Sequence, residues 1–162
     1  MGARKQYWLF KSEPEVFSIH DLEKAPKKTV FWDGVRNYQA RNSLRDQVKV
    51  GDGVLFYHSN ADPPAIAGIA EVVKGGYPDQ TAFDKSDHHY DPKSDPKNPT
   101  WYMVDVRHAE TFVKPITLPE LKKERALKEM VLLNNSRLSI QPVTEQEWTH
   151  IAKMRKQTAT RS

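Results

Sequence analysis

Apolar residues in this chain fall into short runs broken by polar turns, and most runs have strand length. Tyr7-Trp8-Leu9-Phe10 is an unbroken apolar run and predicts a buried strand. Ser18 stands three residues before Asp21, the spacing of a capping box. A short helix is expected there, through Ile19, His20, Asp21 and Leu22, ending at Pro26. Thr29-Val30-Phe31-Trp32 reads as a second strand, stopped by Asp33-Gly34. Asn37 suits a helix N-cap. Ala40, Leu44 and Val48 then recur at helical spacing, with Arg41, Arg45 and Lys49 beside them.

Gly51-Asp52-Gly53 is a turn, and 54–57 is a strand. Pro63-Pro64 interrupts, and 65–73 is the next strand. Its small residues Ala67, Gly68 and Ala70 predict close approach of other backbone. Residues 75–100 hold four prolines and five aspartates with few apolar side chains, which predicts a long loop. A strand resumes at 101–106 and runs on to Val113. Thr117-Leu118-Pro119-Glu120 is a capping box with proline in the first turn, so a helix follows. Leu138-Ser139-Ile140 reads as a short strand closed by Pro142. Thr144 caps a last helix with Trp148, Ile151 and Ala152 on its apolar face. Five or six strands with a few short helices, not in regular alternation, predict a mixed α+β domain with a curled or closed sheet.

Composition narrows the class. A chain of 162 residues with 38% hydrophobic content fits one domain with a modest core. No run approaches the roughly 18 apolar residues of a membrane span, and residues 1–11 lack a secretory h-region. There are no cysteines, which excludes disulfides, thiolate zinc sites, iron–sulfur clusters and cysteine nucleophiles. A soluble, cytoplasmic protein is expected, with no membrane partner. The net charge is +4, and Lys153, Arg155, Lys156 and Arg161 sit in the last ten residues without an acid. Residues 1–152 are therefore balanced, and 153–162 is expected to be a basic tail. Nucleic-acid binding has to rest on a local pocket rather than on overall charge.

Several clusters can carry chemistry. In Trp32-Asp33-Gly34-Val35-Arg36-Asn37-Tyr38 an aromatic ends a strand just before a helix start. An indole face beside hydrogen-bond donors can hold a flat polar ring, and Arg36 can meet a phosphate. The plainer reading is a core tryptophan and an ordinary cap. Phe56-Tyr57-His58-Ser59-Asn60 gathers polar groups at a strand end, with His58 as an acid–base candidate or a structural histidine. Lys11-Ser12-Glu13-Pro14 offers a phosphate contact at Lys11 and a donor at Ser12, or else a surface turn. In Ser136-Arg137-Leu138-Ser139, Arg137 suits a bidentate contact with phosphate or a base edge. The run 84–91, with His88, His89 and Asp91, contains metal-ligating side chains at a spacing that fits neither a helical HExxH pattern nor a calcium loop. No metal and no cofactor are expected. Nucleophile elbows, P-loops and dinucleotide fingerprints are absent.

These segments together resemble the EVE domain, a member of the PUA-like superfamily. The resemblance runs over about 7–151 and rests on Trp8-Leu9-Phe10-Lys11-Ser12-Glu13-Pro14, on the run from Trp32 to Asn42, and on Phe56-Tyr57-His58-Ser59-Asn60. Gly68-Ile69, Tyr77-Pro78-Asp79, His89-Tyr90-Asp91-Pro92, the run 101–106 and Arg137-Leu138-Ser139-Ile140-Gln141-Pro142 extend it in the same order. It implies a strongly bent, barrel-like mixed sheet with peripheral short helices. It also implies binding of a modified base in DNA or RNA, so a non-catalytic reader is expected, taking a single-stranded or flipped-out base as a monomer. The related YTH domains hold a methylated adenine in an aromatic cage, and their pattern resembles Lys11-Ser12, Trp32, Asn37 and Gly68 here. On that basis Trp32 is a cage wall, and Asn37 and Ser12 hydrogen-bond the base. Tyr77, His89 or Tyr90 supplies a second wall. The EVE motifs bring Tyr57, His58, Ser59, Arg137 and Ser139 to the same pocket. The eukaryotic thymocyte nuclear proteins of this family carry a basic N-terminal extension, so this chain is similar to a bacterial stand-alone version. Two other classes stay open: an RNA- or nucleotide-acting enzyme using His58, His89 and Asp91, and a protein-interaction module using the 75–100 loop.

Overall fold

Six strands form one open mixed sheet in the computed structural model, which describes residues 5–134 and 137–160. They are β1 (Tyr7–Ser12), β2 (Thr29–Trp32), β3 (Gly53–His58), β4 (Ala65–Pro78), β5 (Tyr102–Thr117) and β6 (Ile140–Val143), in the order β2-β5-β4-β3-β1-β6. Only the central β1–β3 pair is parallel. The others are antiparallel, so β2 and β6 are the edges. Four register shifts interrupt the long β4–β5 ladder. Each such bulge adds local twist and bend, which curls the sheet as expected without closing it.

Strand alternation places side chains on two faces, and each face has its own core. Trp8, Phe10, Val54, Phe56, Val72, Val104 and Val106 fill one cluster. Leu9, Leu55, Ile66, Phe112 and Ile116 lie in the other. The first core is closed by α1 (Ile19–Lys24) through Leu22, by α2 (Tyr38–Asn42) through Ala40, and by Leu44 just after α2. The second is covered by α3 (Leu118–Lys122), α4 (Val131–Asn134) and α5 (Glu145–Thr160) through Leu121, Leu132 and Ile151.

The helix starts follow the local signals. Ser18 and Asp21 form the expected capping box of α1, and Thr117 and Glu120 that of α3. Thr144 and Glu147 bond reciprocally at the start of α5. Asn37 caps α2, which passes into a π-helical turn over Ser43–Gln47. Three expectations differ. Residues Gly75 to Pro78, read as loop, extend β4, because they pair with β5 up to Tyr102. The last strand is Ile140–Val143 rather than 138–140. It includes Pro142 because β6 is an edge, where a missing N–H costs no ladder bond. The expected tail boundary at 152 falls inside α5, where Met154 is buried and Arg155 pairs with Glu110 at 2.8 Å.

Asp52 ties the N-terminal strand to the π-helical segment. Its buried carboxylate accepts from the Trp8 indole at 2.9 Å, from the Gln6 backbone at 3.1 Å and from the Lys49 backbone at 2.9 Å. Charge-assisted bonds of this kind satisfy an ion that burial alone would penalise. No helix of the described residues is long and apolar enough to cross a membrane.

Candidate functional site

A cleft of about 340 Å³ opens where β1 and β2 end. Its lining is Lys11, Ser12, Val16, Phe17, Val30, Phe31, Trp32, Asp33, His88 and His89. Trp32 is half-buried because one side of its ring packs on the first core, with Phe10 at 5.3 Å and Phe56 edge-on at 5.4 Å between centroids. That packing holds the ring in place, and Trp32 also lines the cleft. Its indole N–H donates to no group among the described residues.

The near wall is the turn after β1. Glu13 accepts from the backbone of Val16 at 3.0 Å and of Phe17 at 2.9 Å, and the Ser12 hydroxyl donates to the Phe17 carbonyl at 2.6 Å. Ser12 therefore spends its proton on the turn and presents lone pairs to a ligand. Val16 is 75% exposed and Phe31 51%, an apolar rim on either side of the opening. Lys11 lines the cleft with its ammonium 6.0 Å from the Tyr57 ring centroid, and burial pulls its pKa down.

The far wall is the segment 84–91, held by a clasp that the sequence concealed. Asp79 is fully buried and accepts from the Gly34 backbone at 2.8 Å, the Arg36 guanidinium at 3.0 Å and the Thr81 backbone at 2.9 Å. Burial alone would raise its pKa, but the hydrogen bonds from Thr81, Gly34 and Arg36 outweigh it and hold the carboxyl below the usual range. Arg36 also donates to the His89 carbonyl at 2.8 Å and stacks 5.3 Å from Trp101. Trp101 in turn donates to Asp91 at 2.6 Å, and Arg41 to the Thr100 carbonyl at 2.6 Å. The His89 ring lies where a Cβ on Gly34 would be, and Gly34 has φ of 76°, so glycine is required there twice over.

Charge in the cleft is mixed. Asp33 is half-buried, and burial raises its carboxyl pKa; His89 opposes this, while Asp79 and Asp87 add to it. The His89 Nδ1 atom is buried without a hydrogen bond, 3.2 Å from Asp87 and 3.7 Å from Asp33. Asp87, His88 and His89 bring one potential metal ligand each to within 4.8 Å of one another. Asp87 already caps the turn by accepting from the His89 backbone at 2.8 Å.

Of the residues expected from sequence, Lys11, Ser12, Trp32 and His89 meet at this cleft. Asn37 does not line it: its side chain accepts from the Ala40 backbone at 2.9 Å as a helix cap. Arg36 is held by Asp79 and the His89 carbonyl instead of reaching outward. Tyr57 follows Phe56 on β3 and so faces the second core, away from Trp32. Its burial pushes the phenol pKa up. Tyr77 donates to Asp105, which with burial pushes its own phenol up, and Tyr90 is exposed outside the lining. The Ser59 backbone donates to the Ser12 carbonyl at 3.0 Å, and Lys11 donates to the Ser139 carbonyl at 3.0 Å, so both serines brace β1 beside the cleft. Arg137 is exposed and outside the lining. Val16, Phe17, Val30, Phe31 and Asp33 line the cleft without having been expected. Asp33 had a local signal in its place beside Trp32, but as Asp-Gly it read only as a turn.

His58 serves the scaffold. Its Nε2 accepts from the Ile19 backbone at 3.1 Å, and its ring borders a separate cavity of about 470 Å³ with Lys114 and Glu120. Only a neutral ring can accept there. Burial lowers its pKa, with His20 adding and Asp21 opposing. A histidine with a depressed folded pKa contributes stability above its unfolded value of about 6.5, and that is lost as pH falls through this value toward the folded one. The thermal midpoint is expected to fall between about pH 7.5 and about 5.5, with a shallower slope in His58→Asn. His108 is depressed by burial too, so the slope is reduced rather than abolished. An unchanged slope would show that His58 does not titrate in this window.

Comparison with known proteins places this geometry in a family. The EVE domain family model matches residues 6–154. Human thymocyte nuclear protein 1 is 48% identical over 162 aligned positions, which cover 90% of this chain and 72% of that protein. A hypothetical protein from Leishmania major superposes with a TM-score of 0.91 at 48% identity, over 96% of this chain and 97% of that one. The human THYN1 protein, solved in complex with 5-methylcytosine containing DNA, superposes with a TM-score of 0.90 at 46% identity, over 94% of this chain and 98% of that one. The bent open sheet is thus the fold of a known group, and this chain belongs to the EVE domain family.

Proposed function

We propose that this protein is a non-catalytic reader that takes a modified base of DNA, of the 5-methylcytosine kind, into the cleft beside Trp32. The observation that carries this reading is an indole that packs on the core and also lines a base-sized cleft. At about 340 Å³ the cleft is near the lower end of ligand sites, which suits one base rather than an oligonucleotide. The human relative named with 5-methylcytosine containing DNA supports the choice of ligand class.

A base reaches such a cleft only when unstacked, from single-stranded DNA or by extrusion from a duplex. Val16 and Phe31 form an apolar rim at the entrance, against which neighbouring bases can rest. Enclosing one methyl group is worth only about 0.8 kcal/mol, a few-fold in affinity. Further discrimination has to come from the polar edge of the base.

The test is tryptophan fluorescence during titration with short single-stranded DNA carrying one 5-methylcytosine, against the same strand with cytosine and an RNA counterpart. The modified DNA strand is expected to quench the wild type most, and Trp32→Phe to lose that difference. Of the four tryptophans, Trp8, Trp101 and Trp148 lie outside the cleft. Equal quenching in Trp32→Phe would move the base elsewhere, and a stronger RNA response would change the nucleic acid assigned.

A further inference from the structure

The most unusual group in the cleft is an acid. Asp33 follows Trp32 directly and lines the same space, and among the described residues its carboxylate accepts only from its own backbone N–H. His89 Nδ1 stands 3.7 Å away, too long for a hydrogen bond. By contrast, the buried carboxylates Asp79 and Asp52 each accept from three other residues: Asp79 from Gly34, Arg36 and Thr81, and Asp52 from Gln6, Trp8 and Lys49. A negative charge in a cleft that admits DNA also repels phosphate. An acceptor half-buried at that cost points to a donor that arrives with the ligand.

We propose that Asp33 accepts a hydrogen bond from the exocyclic amine of the captured base, so that the cleft selects 5-methylcytosine over thymine. This rests on the reader function above and deepens it. The two bases carry the same methyl group at the same ring position. Trp32, Val16 and Phe17 meet that methyl and the ring faces, so they cannot tell the bases apart. The difference lies on the edge: cytosine presents an amine donor where thymine presents a carbonyl acceptor. Facing a carboxylate, the amine completes a charge-assisted bond and the carbonyl is left against like partial charge. Ser12, with its proton given to Phe17, adds a second acceptor in the same cleft. The lining that reads the methyl and the group that reads the amine are therefore separate, and can be removed separately.

Direct binding of three labelled single strands, identical except for cytosine, 5-methylcytosine or thymine at one position, tests this in the wild type, Asp33→Asn, Asp33→Leu and Trp32→Ala. Melting of each variant checks that it is folded. The carboxyl that burial disfavours as an ion is replaced by a neutral group, so Asp33→Asn is expected to melt no lower than the wild type near neutral pH. The wild type is expected to prefer 5-methylcytosine over thymine by roughly 10-fold or more, and both Asp33 variants to bring that ratio close to one. An unchanged ratio in both folded Asp33 variants, or a wild type that binds the two methylated bases equally, would overturn the role of Asp33 and leave the reader function standing. If the wild type prefers neither methylated base over cytosine, or Trp32→Ala binds as the wild type does, the reader function fails and this inference with it.

Discussion

Alanine at Gly68 is expected to destabilise the fold by about 3 kcal/mol, although only a methyl group is added. Gly68 lies in β4 beside a register shift, opposite Thr111 of β5. A Cβ there would overlap the carbonyl oxygen of Glu110 and lie 2.8 Å from Cγ1 of Ile19. The Ile19 side chain can rotate away, but the Glu110 carbonyl belongs to the backbone of the longest strand and can move only with it. The β4–β5 ladder would have to part where α1 docks. Domains of this size have about 5–15 kcal/mol in total, so the loss is a large fraction. Urea denaturation would read it as a lower midpoint with an unchanged slope. Gly75, on the same strand with nothing within 4 Å of its Cβ position, is the control, and Gly75→Ala should stay close to wild type. A loss at Gly68 no greater than at Gly75 would mean that the two strands yield freely.

Trp32→Ala is expected to weaken binding of 5-methylcytosine DNA by roughly 100-fold, because stacking on an aromatic side chain is worth about 1–3 kcal/mol per base. The same substitution removes contacts with Phe10 and Phe56, so part of its effect falls on stability. Trp32→Phe separates the two. It keeps a ring against the core and a stacking face but loses the indole N–H, and should fall between wild type and alanine. Anisotropy titration with one labelled strand, at temperatures where circular dichroism shows each variant folded, gives the comparison. If folded Trp32→Ala binds within about threefold of the wild type, the base does not stack on this ring.

Local physics made much of the fold legible. Ser18, Thr117 and Thr144 begin helices because each cap needs only a partner three residues away. The small residues around Gly68 correctly implied a near backbone. What failed depended on distant partners. Arg36 looked like a phosphate ligand because its partner Asp79 is 43 residues on. Tyr57 looked like a site residue because its motif shows an aromatic pair but not which member faces which core. Asn37 had one side chain and two expected tasks, and capping α2 takes it. Phe17 and Val16 belong to the cleft only because Glu13 turns the chain back over β1. Trp32, Lys11 and Ser12 were readable because they sit at strand ends, where a side chain's neighbourhood follows from the strand itself.

The clasp of Arg36 and Asp79 has a consequence for how such a domain diversifies. One jaw of the cleft belongs to the sheet and is rigid. The other hangs from a guanidinium that grips a main-chain carbonyl at His89, with the Asp87 and Asp91 side chains bracing it from within. Lys85, His88 and Tyr90, whose side chains take no part in that hold, can be exchanged while the segment stays suspended at the same height, as a bit is changed in a fixed chuck. New ligand preferences are accessible by rewriting that one segment, with the hydrophobic cores untouched.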